Sequence, residues 1–213
     1  MKKHLRELLD TRRIEEIIDL AGRQRRVLGT LLSLTFDAEP LIAWRAVEAM
    51  GAAAARIADD DPEYVREHLR RLRWLISDES GGICWHAPEA MAEIIRRRPA
   101  MFPDHIPIVV YLLRVMEEED LVRFRAGILW AIGRLGDIAA RDIDAVLPAM
   151  AACLDHSDPQ VRGMAVWCLA QSRRSEPLKA QRDLLSDEGT AVLYLDGHLA
   201  RRSVAELVRQ ALT

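Results

Sequence analysis

Between about residues 25 and 172 the apolar positions recur in steps of three and four, the spacing of one helix face. Written in register, the segments starting at Ile42, Ile83, Phe124 and Val161 read IAWRAVEAMG, ICWHAPEAMA, FRAGILWAIG and VRGMAVWCLA, at intervals of 41, 41 and 37 residues. Their first, fifth, eighth and ninth positions are apolar or small: Ile42, Ala46, Ala49 and Met50 in one, Val161, Ala165, Cys168 and Leu169 in another. Each segment follows a second apolar-periodic stretch and a polar turn, TLLSLTFD, RLRWLISD, LLRVMEEE and PAMAACLDHSD. Leu31, Leu72 and Leu113 share one repeat position, and Leu34, Leu75 and Met116 another. The unit is helix, turn, helix, and a period near 40 residues overrides any local reading. One pair cannot bury its own stripe, so neighbouring pairs must stack, and small residues at positions five, eight and ten permit close approach.

The flanks differ. Residues 1–28 read as capping helices, with Thr11 placed to cap a helix through Ile14, Ile17 and Ile18. Pro62, after Asp59, Asp60 and Asp61, and Pro177 suit the first residues of helices, whereas Pro88 either begins a helix or kinks one. Pro99, Pro103 and Pro107 mark a turn-rich entry to the third unit. Residues 173–213 form a C-terminal cap in which Ala191 to Leu195 is β-prone, Asp196-Gly197 is a two-residue hairpin signal and His198 to Arg201 can pair back. Ser203 and Glu206 make a capping box for a final helix. The hairpin serves either as a cap over the last repeat or as an edge offered to a partner strand.

The run DPQVRGMAVWCLA, residues 158 to 170, sets an aspartate and a proline at a helix start, then Val161, Arg162, Ala165 and Leu169. With the period, it resembles the HEAT repeat, particularly the short prokaryotic HEAT-like type also found in phycobilisome lyase subunits. The resemblance implies an all-α, right-handed α-α superhelix, a HEAT-like solenoid of about four helix pairs over residues 29–172 within a single domain spanning 1–213. It also implies a ladder of hydrogen bonds from helix arginines to turn aspartates. Arg125 and Arg162 match the arginine position and Ala43 and Cys84 do not, so the ladder is expected in the C-terminal half only.

Composition narrows the setting. With 50% hydrophobic and 30% charged residues the chain can bury a core. No long uninterrupted apolar run is present and charges punctuate the N-terminus, which argues against export or a membrane span. Three cysteines without CxxC spacing signal neither a disulfide framework nor a zinc site, so a cytoplasmic location is expected. The net charge of −3 argues against nucleic acid, and acidic runs interrupt the clusters at Arg70, Arg71, Arg73 and Arg96 to Arg98. Ion pairs between repeats account for them better than a basic stripe does.

Candidate chemistry concentrates on the second helices. The third repeat position holds Trp44, Trp85, Ala126 and Gly163, and the seventh holds Glu48, Glu89, Trp130 and Trp167. These positions are neighbours on a helix face, so four tryptophans fall along one strip. They either fill gaps between helices or line a concave groove whose polar groups are Glu48, Glu89, Arg45 and His86, suited to another protein. In ISDESGGICWHAPEAM, Asp78 matches the turn position of Asp37, and Ser80, Gly81 and Gly82 form a possible anion nest without a P-loop pattern. Cys84 and His86 lie on different sides of a helix, and the histidines have no metal-ligand spacing. No catalytic residue, metal or cofactor is expected. The expected function is a non-enzymatic scaffold for protein–protein interaction, with an accessory subunit of a cofactor-modifying, lyase-like enzyme or a nucleic-acid binder as alternatives.

Overall fold

The computed structural model describes residues 1–76, 86–115 and 122–213. Two compact units result: Met1–His105 with Asp196–His198, and Ile106–Leu195 with Leu199–Thr213. The described residues are all-α apart from one two-stranded antiparallel sheet, as the periodicity and the Asp196-Gly197 signal predict.

The first unit contains α1 (Lys2–Asp10), α2 (Ile14–Arg23), α3 (Val27–Leu34), α4 (Pro40–Ala58), α5 (Pro62–Trp74) and α6 (Ala87–Arg97). Helices α3 and α4 pair, as do α5 and α6, and α4 packs broadly on α6 while α1 and α2 close the other side of α4. Proline opens α4, α5 and α6, where its missing N–H costs nothing. Pro88 therefore starts α6 and does not kink it. Gly51 explains how α4 and α6 come together, since a Cβ there would stand 2.6 Å from the Glu93 carbonyl oxygen. Thr11 departs from expectation: it ends α1, with its hydroxyl donating to the Glu7 carbonyl at 2.8 Å, and α2 begins without a side-chain cap. Arg12 follows with a positive φ of 57°, and its guanidinium lies against Gly197.

Ion pairs staple successive turns of this unit. Arg6 meets Asp37 at 2.9 Å, Arg66 meets Asp104 at 2.9 Å and Arg98 meets Asp59 at 2.7 Å, while Arg25 pairs with Asp61. Arg70 pairs with Glu63 and Glu67 on its own helix.

The second unit contains α7 (Ile106–Val115), α8 (Val122–Leu135), α9 (Ala140–Ala152), α10 (Pro159–Gln171), the short α11 (Glu176–Ala180), the strands β1 (Thr190–Leu195) and β2 (His198–Ser203), and α12 (Val204–Ala211). Helices α8 and α10 pack most closely, and α10 also receives β1 and α12. Gly133, the repeat counterpart of Gly51, makes room for the Trp167 ring, which a Cβ would approach to 2.5 Å. Gly163 likewise admits Ala191 of β1 at 2.5 Å. Asp158 caps α10 through the Gln160 N–H at 2.7 Å. Arg162 reaches the next turn, donating from Nε to Asp187 at 2.7 Å and also to the His156 and Ser157 carbonyls, so the expected arginine–aspartate rung is present there. In the hairpin turn Asp196 and Gly197 have φ of 48° and 83°, the mirror-image turn that suits strand twist. Both halves of the Ser203–Glu206 capping box are made.

Candidate functional site

Helix α4 is almost entirely interior. Ile42, Ala46, Val47, Ala49 and Met50 have no appreciable exposure, and even Arg45 is buried. Leu41, Trp44 and Glu48 are half-exposed at the i, i+3, i+7 spacing of one stripe. Under this stripe lies the start of α6. The His86 ring stands edge-on to the Trp44 indole, with centroids 4.9 Å apart and planes at 67°. His86 Nδ1 is 3.2 Å from Glu89 Oε1, and both side chains are buried. Glu93, one turn further along, is also buried and accepts from Arg96 Nε at 2.9 Å. His86, Glu89 and Glu93 therefore form a polar row on one face of α6, backing a tryptophan that reaches the surface.

Glu89 Oε2 has no hydrogen-bond partner among the described residues. A buried carboxylate half-satisfied by a histidine fixes that histidine in place, because letting the ring turn away would strand the remaining acceptor as well. Of this row only His86 packs against Trp44, with Glu89 holding His86. With His86 and Glu89 at 5% and 2% exposure, neither meets a dissolved substrate. Among the described residues, no three His, Cys, Asp or Glu side chains are grouped to hold a metal ion. Cys153 and Cys168 are buried free thiols, and burial pushes the Cys168 thiol well above its ordinary value, the opposite of an activated nucleophile.

The other predicted residues are placed differently. Trp130 and Trp167 are core residues of the second unit, not groove residues. Their rings stack 6.3 Å apart at 12°, and Trp130 is wholly buried while Trp167 is 7% exposed. The physical cause is β1, which packs on α10 and accepts the Trp130 indole N–H at the Tyr194 carbonyl, 3.0 Å away. Arg45 is not a groove group either. Its guanidinium donates to the Leu9 and Asp10 carbonyls at the end of α1 and to the Gly197 carbonyl. Trp85 and the Ser80, Gly81 and Gly82 nest lie outside the described residues, as do Asp78 and Cys84. Glu93 is the residue that sequence reasoning missed. Its signal is the spacing His86-x-x-Glu89-x-x-x-Glu93, which puts three polar groups on one face of a helix that must pack.

Among the described residues, fold and site together define helix pairs with one partly exposed tryptophan on α4, and no helix is long and apolar enough to cross a membrane. Residues 122–171, from α8 to the end of α10, match the HEAT-like repeat, which supports a HEAT-type repeat in that span. HEAT-like repeats generally mediate protein–protein interaction. The chain is also 32% identical over 108 residues to an uncharacterised protein of Archaeoglobus fulgidus, a match covering 51% of this chain and 53% of that relative. It thus spans about half the length of the curated relative it matches.

Proposed function

We propose that the protein is a non-enzymatic interaction scaffold that docks another protein on the outer stripe of α4, with Trp44 as the anchor and Leu41 and Glu48 beside it. The carrying observation is that Trp44 is half-exposed on a largely buried helix while its ring packs on His86, which is itself held by Glu89. A tryptophan fixed before binding loses little conformational freedom on contact, which is why such residues dominate interface energetics. Glu48, one turn along, is half-exposed beside it. This surface is smaller than the four-tryptophan strip that the repeat alone predicts.

Affinity purification with the wild type, Trp44→Ala and Glu48→Lys, followed by titration of any protein retained, tests the reading. Loss of about 2 kcal/mol of binding, roughly thirtyfold, is expected for Trp44→Ala. Circular dichroism confirms that the variants are folded. A partner that binds both variants as tightly as the wild type would count against the α4 stripe.

A further inference from the structure

The two edges of the hairpin are not alike. The turn at Asp196-Gly197 pairs Leu195 with His198, so the backbone groups of Thr190, Val192 and Tyr194 on β1, and of Leu199, Arg201 and Ser203 on β2, point away from the partner strand. On β1 these groups are taken. The Gln160 side chain accepts from the Val192 N–H at 2.8 Å and donates to the Val192 carbonyl at 2.9 Å, as a third strand would, and Trp130 donates to the Tyr194 carbonyl. On β2, the Ser203 N–H is taken by Glu206 at 2.9 Å and the Arg201 carbonyl receives the Arg202 side chain at 3.3 Å. The Leu199 N–H and carbonyl and the Arg201 N–H have no hydrogen-bond partner among the described residues. Arg201 and Arg202 are exposed, with Leu199 and Ala200 half-exposed. Neither guanidinium meets a carboxylate among the described residues: Arg201 donates to the Thr190 hydroxyl at 3.2 Å, and Arg202 donates only to the neighbouring carbonyl.

We propose that the outer edge of β2 is a docking strand for an extended acidic peptide segment of another protein. The segment adds as a third strand, with its backbone on Leu199 and Arg201 and its carboxylates on the Arg201 and Arg202 guanidinium groups. Charge selects this occupant over a second copy of the chain. Two β2 strands side by side would bring a second Arg201 and Arg202 to the same edge and no carboxylate, whereas an acidic segment neutralises the pair already there. Charged edges ordinarily keep strands apart, and a segment of opposite charge is the one kind of strand that this edge does not repel. The inference is independent of the α4 stripe and shares no residue with it.

The test is fluorescence anisotropy of a labelled extended peptide with consecutive Glu residues between Val residues, so that carboxylates lie on both faces of the added strand as Arg201 and Arg202 do, titrated with the full chain. Saturable binding is expected, weakened roughly tenfold by the pair Arg201→Gln and Arg202→Gln. Leu199→Pro should weaken it comparably, since it removes the outward donor without breaking a hydrogen bond to β1. A peptide N-methylated at alternate residues should lose binding with no change to the protein. Trp44→Ala should leave the affinity unchanged, which separates failure here from failure of the α4 reading. Equal binding of the N-methylated peptide or of a Lys-Val peptide would overturn the proposal. So would self-association that is abolished by Leu199→Pro and excludes the peptide.

Discussion

Gly51 and Gly133 occupy the same repeat position, and at both the absent Cβ is what admits the neighbouring helix. The obstacles differ in kind. At Gly51 a Cβ would meet backbone, the carbonyl of Glu93 at 2.6 Å, which can move only if α6 moves; at Gly133 it would meet the edge of the buried Trp167 ring. Gly51→Ala should therefore destabilise the protein by about 1–3 kcal/mol, the cost of overpacking a well-filled contact. Gly29, on α3, has nothing within 4 Å of the corresponding point, so Gly29→Ala should stabilise by about 0.5–1 kcal/mol through helix propensity. Urea denaturation of both variants checks the contrast, and equal effects would mean that α4 and α6 are not in close contact. The small residues at the tenth position are legible in the sequence because packing demands them. The fate of Trp130 and Trp167 is not, since a period assigns a side chain to a helix face without saying what covers that face. The covering element, β1, announces itself through Asp196-Gly197 some thirty residues later. Only the folded chain shows that it lands on α10.

At the scale of elements, the turns share one chemistry. Asp37, Asp158 and Asp187 each accept from the backbone N–H two residues on, those of Glu39, Gln160 and Gly189, so each aspartate fixes the turn that follows it. Asp37 and Asp187 also hold an arginine, Arg6 and Arg162, and the Arg162 side chain hydrogen bond keeps the Asp187 carboxyl below the usual carboxylate range. Arg162 ties α10 to two turns at once, because it donates to the His156 and Ser157 carbonyls as well. Arg162→Ala should destabilise by about 1–3 kcal/mol, leaving a partly buried carboxylate and two carbonyls without their donor. Asp187→Asn should cost less, since the amide oxygen can still accept from Gly189. In the double variant the effects should fall short of additive by about 1 kcal/mol, the mark of a direct pair. Thermal melts of the three variants give the cycle, and strict additivity would dissolve the pairing. The arginine of this rung is readable from the resemblance of residues 158 to 170 to a HEAT repeat. Its partner is not, because Asp187 lies in the cap where the repeat pattern has stopped.

Across the whole molecule, stability should fall on mild acidification, and His68 is the main reason. Its side chain on α5 is buried, its Nε2 has no hydrogen-bond partner among the described residues, and burial, aided by the nearby positive charge of Arg71, pushes its pKa down to about 4. The folded chain therefore binds this proton less readily than the unfolded chain, whose histidine titrates near 6.5. Above about pH 6.5 both states are neutral at this site and nothing is lost. As the pH falls from there towards 4, the unfolded state gains a proton that the folded state refuses, costing at most roughly 3 kcal/mol in all. His105, also lowered by burial, adds a change of the same sign. The carboxylates of Asp37 and Asp187, held low by Arg6 and Arg162, contribute only further down: their stabilisation is present above the unfolded value near 3.8 and is lost as the pH drops below it. Two separate acid limbs should appear, a histidine limb between pH 6.5 and 4 and a carboxylate limb beneath it. Urea midpoints measured across this range for the wild type and for His68→Leu distinguish them, because the variant should lose most of the upper limb and keep the lower one. An upper limb of undiminished slope in His68→Leu would place the titrating group elsewhere and leave His68 as a packed but electrostatically silent residue.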